Sequence, residues 1–334
     1  MNIYSTAYMA TVIGSLIVPS TWLTNNYFPM VQVFDTETIM FDKITKKRRA
    51  APFVSPLVEG KVMESLGRTT DTFTPAYIKP KTILDNARPL KRLAGEALGG
   101  VLSPLDRLAY ILAFELQDHR DMIDLRLELM AAEALRTGKI TVSGEKYATQ
   151  IVDFGRDPAL TVTLTGTARW GQSAAKPLEN LQTWAGLTLK KSGAATRDVT
   201  MDIDAWNEFR KDADVKAELA LFRGNSTMVS DGVFEDGGVF MGKIQGFNIF
   251  VYSGLGEDDE PILPSGTVIM ASPTQLAGVR AFGAIRDEES GYIAMAYFPK
   301  SWTEQDPSGR IIMTQSAPLL VPGRVNASFC ATVL

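Results

Sequence analysis

The chain has 334 residues, 45% of them hydrophobic and 22% charged, and carries a formal net charge of −4. That balance excludes a disordered or fibrous chain, and the slight acidic excess excludes holding nucleic acid through net charge. A single cysteine, Cys330, excludes an internal disulfide framework and any multi-cysteine zinc or iron–sulfur site, and suits a reducing cytosol.

The first apolar run, "YMATVIGSLIVPS", is broken by Gly14, Ser15 and Pro19 and falls short of the roughly 20 residues a membrane span needs. No Lys or Arg precedes Lys43, so neither a signal peptide nor a membrane anchor is expected. Residues 1–50 read as an N-terminal arm with one short amphipathic turn or strand. It ends in the basic cluster Lys43, Lys46, Lys47, Arg48 and Arg49, a solvated run or a contact for enclosed phosphate or an acidic neighbour.

Next comes "FVSPLVEGKVMESLGRTTDTFTPAYIKPK", residues 53–81. Leu57, Glu59, Lys61 and Met63 alternate with Val58, Gly60, Val62 and Glu64, and Phe73, Pro75, Tyr77 and Lys79 alternate with Thr74, Ala76 and Ile78. Two extended arms joined at "SLGRTTD" predict a long hairpin, each arm reaching roughly 26 Å at 3.3 Å per residue. Such a hairpin is marginal by itself, and no neighbouring strand or helix pattern covers its large apolar side chains. Its cover is expected from outside the local chain.

The clearest element is a helix over 103–138. Ser103 is placed as N-cap, Pro104 at the first helical position, Asp106 three residues after the cap, and Gly138 closes it. The stripe Leu105, Leu108, Leu112, Leu116, His119, Ile123, Leu127, Met130 and Ala134 predicts one face buried along the whole length. At 1.5 Å per residue this is a rod of about 50 Å, beyond the ordinary globular range, and so a structural spine. Beyond it, "GKITVSGEKYATQIVDFG" predicts two strands, and helices follow around Leu178, Leu181 and Trp184 and from an N-cap at Asp204 to Gly224. "VFMGKIQGFNIFVYSG" predicts a hairpin, and the C-terminal part alternates strands with Pro- and Gly-marked turns. The class is α+β rather than a βαβ array.

Catalytic chemistry finds no foothold. The single histidine, His119, sits on the apolar stripe and reads as a hydrogen-bonded core or interface residue. No G-x-S-x-G elbow, phosphate-binding loop or G-x-G-x-x-G fingerprint occurs. The glycines of "GVFEDGGVFMGKIQGF" flank strands, as turns and bulges do. Glu257, Asp258, Asp259 and Glu260 supply oxygen atoms for a hard cation but lack EF-hand spacing, and read as a solvated loop. The five tryptophans are scattered and form no base-stacking platform. Neither an enzyme nor a cofactor is expected.

An arm, a projecting hairpin, a long spine, a sheet beside it and an α+β lobe resemble the major capsid protein of tailed phages, with its Hong Kong 97 fold. "FVSPLVEGKVMESLGRTTDTFTPAYIKPK", "LRTGKITVSG" with "VDFGR", "FRGNS", "VYSG", "LPSGTVIMASPTQLAGVRAFGAI", "YFPKSW" and "MTQSAPLL" resemble the lambda-like major head protein family, in its order. The resemblance implies an N-arm (1–50), an extended E-loop (51–95), a peripheral domain (96–168, with spine helix 103–138 and its sheet), an axial domain (169–298) and C-terminal strands returning to the peripheral domain (299–334). The E-loop would lie across a neighbouring subunit, which makes Val58, Glu59, Lys61, Val62, Phe73, Pro75, Tyr77 and Lys79 interface residues. It further implies pentamers and hexamers in an icosahedral virion shell around double-stranded DNA, without sequence recognition and without a membrane. Scaffolding and portal proteins would assist assembly in the host bacterial cytoplasm, and a decoration protein could join. Rival readings are an encapsulin-like compartment shell, a tail-tube subunit, or an enzyme with its site near 257–260.

Overall fold

The computed structural model describes residues 4–15, 21–36, 38–44, 51, 53–56, 59, 68–93, 96, 102–144, 147–218, 237–288, 291, 294–305 and 308–334. Helices α1 (Thr6–Ser15) and α2 (Trp22–Tyr27) precede strands β1 (Met30–Val33), β2 (Ile39–Ile44), β3 (Arg68–Phe73) and β4 (Lys81–Asp85). The long helix α3 (Pro104–Thr137) leads into β5 (Lys139–Gly144), β6 (Tyr147–Asp153), β7 (Thr161–Thr163), α4 (Pro177–Ser192), β8 (Asp198–Met201) and α5 (Ile203–Phe209). Then come β9 (Gly238–Ile244), β10 (Phe247–Tyr252), β11 (Thr267–Ala271), β12 (Gly278–Phe282), β13 (Phe298–Gln305), β14 (Ser308–Gln315), β15 (Pro318–Pro322) and β16 (Phe329–Thr332).

Local chemistry sets both ends of α3. The Ser103 hydroxyl accepts the Asp106 N–H while the Asp106 carboxylate accepts the Ser103 N–H, a reciprocal capping box. At the other end Gly138 takes the left-handed conformation at φ 71°, and a Cβ there would lie 2.5 Å from Cβ of Arg156. The buried Arg156 guanidinium donates to the carbonyls of Leu135 (2.6 Å) and Arg136 and to the Thr161 hydroxyl (2.6 Å). A cation on the last carbonyls of a helix complements its dipole, although burial draws this arginine's pKa below the usual value. Burial of the stripe does not extend along the whole length: Leu105 is 73% exposed, and continuous burial begins at Ile111. There Met9 and Ile13 of α1, Leu84 of β4 and Ile312 of β14 close over Ile111, Leu112 and Leu116, and the first turns project beyond that cover.

The N-terminal half of α3 lies on the antiparallel sheet β13-β14-β4. His119, fully buried, locks helix to sheet: one ring nitrogen lies 2.9 Å from the Thr82 hydroxyl of β4, the other 3.1 Å from the Thr314 hydroxyl of β14. Burial lowers its pKa, which favours the neutral ring. The C-terminal half of α3 enters the largest core, with Leu127, Ala131 and Leu135 against Tyr27, Phe28, Ile269, Phe282 and Leu320. The sheet β1-β12-β15 borders that core, with β1 parallel and β15 antiparallel to β12.

A second core fills the space between α4, α5 and a six-stranded sheet of order β7-β16-β11-β8-β10-β9. Trp170, Trp184, Phe209 and Phe329 stack there, with neighbouring ring centroids 5.2 to 6.3 Å apart. The final strand β16 lies between β7 (parallel) and β11 (antiparallel), so the end of the chain closes this lobe.

Candidate subunit interface

Of the eight residues expected at an interface, Val58, Lys61 and Val62 lie outside the described residues, and Glu59 is exposed. The first arm of the expected hairpin likewise lies mostly outside them. Residues 68–71, expected in its turn, belong instead to β3, whose antiparallel partner is β2 of the N-terminal region, with Phe73 opposite Ile39. The alternation of residues 73–79 was legible in the sequence, but only Phe73 of these joins the pairing to β2, and Ile78 instead bridges Ser316. Phe73 packs against the largest core and Pro75 is buried. Tyr77 packs beside Ile285, Phe298 and Ala317; its hydroxyl donates to the Ala284 carbonyl (2.9 Å) and accepts the Arg286 N–H (3.0 Å). Lys79 is exposed, its ammonium 4.8 Å from the centroid of the Tyr77 ring. Phe73, Pro75 and Tyr77 thus find cover within their own chain, while Glu59 and Lys79 face outward.

Side chains far along the sequence clip the N-terminal region in place. Glu128 of α3, 1% exposed, accepts the N–H groups of Leu23 (2.8 Å) and Thr24 (2.9 Å) and the hydroxyls of Thr24 (2.7 Å) and Tyr252 (2.8 Å). Burial pushes its carboxyl pKa up, and these donors pull it back. Arg120 donates to the Ile13 carbonyl (2.7 Å), Ser301 to the Tyr4 carbonyl (3.1 Å), and the Arg310 guanidinium lies 3.7 Å from the Tyr4 ring centroid. None of these polar contacts carried a sequence signal.

The outer surface keeps large apolar groups exposed. Tyr110, Phe114 and Met122 line the outer side of α3 at helical spacing; all side chains of β1 are exposed; and Phe53 is fully so. Among the described residues no group of three or more His, Cys, Asp or Glu is placed to hold a metal ion, and Glu257, Asp258, Asp259 and Glu260 are all exposed. Burial pushes the Cys330 thiol up to about 11, which keeps it protonated and unreactive.

A family model described as "Phage major capsid protein E" matches residues 5–333. The chain belongs to that family. Among members of the capsid family, it is 29% identical to the major capsid protein of Escherichia phage lambda over 333 residues, covering 96% of each chain. It is 31% identical to the major capsid protein of Enterobacteria phage P21 over 310 residues, covering 88% of this chain and 89% of that one. In three dimensions it is similar to the crystal structure of a prophage capsid protein from Escherichia coli CFT073, with a TM-score of 0.74 at 21% identity over 98% of this chain and 99% of that one. Similarity to the SrpI encapsulin of Synechococcus elongatus is weaker, a TM-score of 0.51 at 10% identity over 100% and 96%. The capsid fold expected from the sequence is therefore present, in mixed α+β form.

Proposed function

We propose that this protein is the major capsid protein of a tailed phage or prophage and that its reaction is self-assembly into the icosahedral head. One observation carries the reading: a capsid family match that runs across the chain rather than over one motif. The exposed apolar side chains of α3, β1 and Phe53 support it, because such surface is costly in a free monomer and is covered when copies meet. A closed shell repeats heterologous contacts around rings, here pentamers and hexamers. A stable contact of roughly 1,600 Å², repeated on several edges, holds the shell without covalent links.

Within the shell, residues 1–50 serve as the N-arm, 51–95 as the E-loop, 96–168 as the peripheral domain, 169–298 as the axial domain and 299–334 as the closing strands. The E-loop meets a neighbouring copy through Val58, Glu59, Lys61, Val62 and Lys79, while Phe73, Pro75 and Tyr77 fix its root. Scaffolding and portal proteins guide assembly in the host cytoplasm, and the finished shell is part of the virion. A net charge of −4 suits enclosed double-stranded DNA that must slide during packaging, since each neutralised phosphate would add affinity.

Negative-stain electron microscopy of the expressed protein, with and without a scaffolding partner, tests this. Closed shells of uniform size are expected. Tubes, or hollow particles that hold an enzyme cargo, would replace the capsid reading with a tail-tube or compartment shell.

A further inference from the structure

Strand β1 reads Met-Val-Gln-Val, and all four side chains are exposed. A strand in a finished sheet buries at least one face; this one buries neither. It is also the outer strand of its sheet: β12 pairs along one edge, and among the described residues no strand pairs along the other. Edge strands are ordinarily protected by Lys, Pro or a bulge, and β1 has none of these. Alternate side chains point to opposite faces, and each face opens on a cavity. Gln32, with Val279 and Ala281, lines one of about 720 Å³; Val31, with Arg280 and Phe282, lines one of about 370 Å³. An extended segment added along this edge would complete the hydrogen-bond ladder and send successive side chains into the two cavities.

The chain itself carries a segment of the required kind. Residues 53–55 run without regular structure between Pro52 and Pro56, which bias Ala51 and Ser55 toward extended backbone. Phe53 is fully exposed, so its ring is not seated on its own subunit, and Val54 next to it is 42% exposed. Resting on the shell-forming function proposed above, we infer that residues 53–55 of a neighbouring copy add to the free edge of β1, with Phe53 entering the larger, aromatic-lined cavity. Phe34, Phe41 and Phe154 line that cavity and provide an apolar seat for the ring. Three residues make a weak contact singly, and the shell multiplies it.

Mixed single-cysteine chains test the contact. Chains carrying Val31→Cys or Gln32→Cys, which sample the two faces of β1, are assembled together with chains carrying Val54→Cys, oxidised as shells and run on a non-reducing denaturing gel. A disulfide forms only where Cα atoms come within about 4.4–6.8 Å, and the buried Cys330 does not compete. A dimer band in at least one mixture, absent from each variant oxidised alone, is expected. Phe53→Asp should leave the melting temperature unchanged and lower shell yield about tenfold. Normal shells that contain only monomers, dimers from a single variant alone, or undiminished yield from Phe53→Asp would each overturn the inference. Absence of shells from the unaltered chain would instead overturn the capsid function on which it rests.

Discussion

Strands β11 and β1 are both short apolar stretches, Thr-Val-Ile-Met-Ala and Met-Val-Gln-Val, yet all five residues of the first are buried and all four of the second are exposed. β11 is hydrogen-bonded on both edges, by β16 and β8, and lies in a lobe with its own core. β1 has one partner and open faces. Composition alone therefore does not say whether a strand is stabilised by its own chain or left for another. In a shell protein, burial divides into surface closed by folding and surface closed by assembly, and the two respond differently to substitution.

Met270→Asp in β11 gives the largest expected effect. It places an unpartnered carboxylate in a fully buried site and should cost about 4–5 kcal/mol or more, seen as insoluble or unfolded protein by circular dichroism. A variant that melts like the parent would break the comparison at its first member. Glu128→Ala strips the acceptor from two backbone N–H groups and two hydroxyls, and should cost about 3 kcal/mol in chemical denaturation. Protease cleavage near residues 21–27 should rise with it, and resistance equal to the parent would show that the clip is dispensable.

Tyr77→Phe removes two hydrogen bonds at the root of the 73–79 segment, and a loss of about 1 kcal/mol in urea unfolding is expected. Shell formation should survive, because this hydroxyl contacts its own chain. His119 offers a pH test. Burial holds its pKa below the usual 6.5, so the unfolded chain takes up the proton first as the pH falls. Its contribution is complete above about pH 6.5 and is lost as the pH falls toward the folded-state value, by at most about 1.4 kcal/mol per pH unit. The gap in melting temperature between the parent and His119→Gln should therefore narrow from pH 7.5 to about pH 5.5; a constant gap would mean that the ring does not titrate in that window. Val31→Asp in β1 should give the smallest stability change, within about 0.5 kcal/mol, yet reduce shell formation.

The spine was legible because its signals are local: a capping box, a proline at the first turn, a left-handed glycine and a stripe at helical spacing. The extent of burial at its first turns was not, since that depends on where α1 and the sheet stop. For residues 73–79, alternation pointed to extended chain, while the pairing of β3 to β2 depends on a contact no local pattern encodes. Phe73 and Tyr77 looked uncovered for the same reason. Their cover comes from Ile39, Ala284 and Ile285, more than thirty or two hundred residues away. Glu128 and β1 sent no distinguishing signal, because a buried carboxylate and an open edge differ from ordinary residues only in what surrounds them.

The carboxylate of Glu128 holds Leu23, 105 residues earlier in the chain. At a synthesis rate of about 5–20 residues per second, Leu23 and Thr24 must wait about 5–20 s before their clasp has even been made. They must wait longer for Tyr252, the other arm of the same hydrogen-bond cluster, 124 residues beyond Glu128. This segment is therefore made well before the residues that seat it. Until then the apolar residues of 21–27 lack this clasp, so the order of synthesis sets an interval before the contact can form.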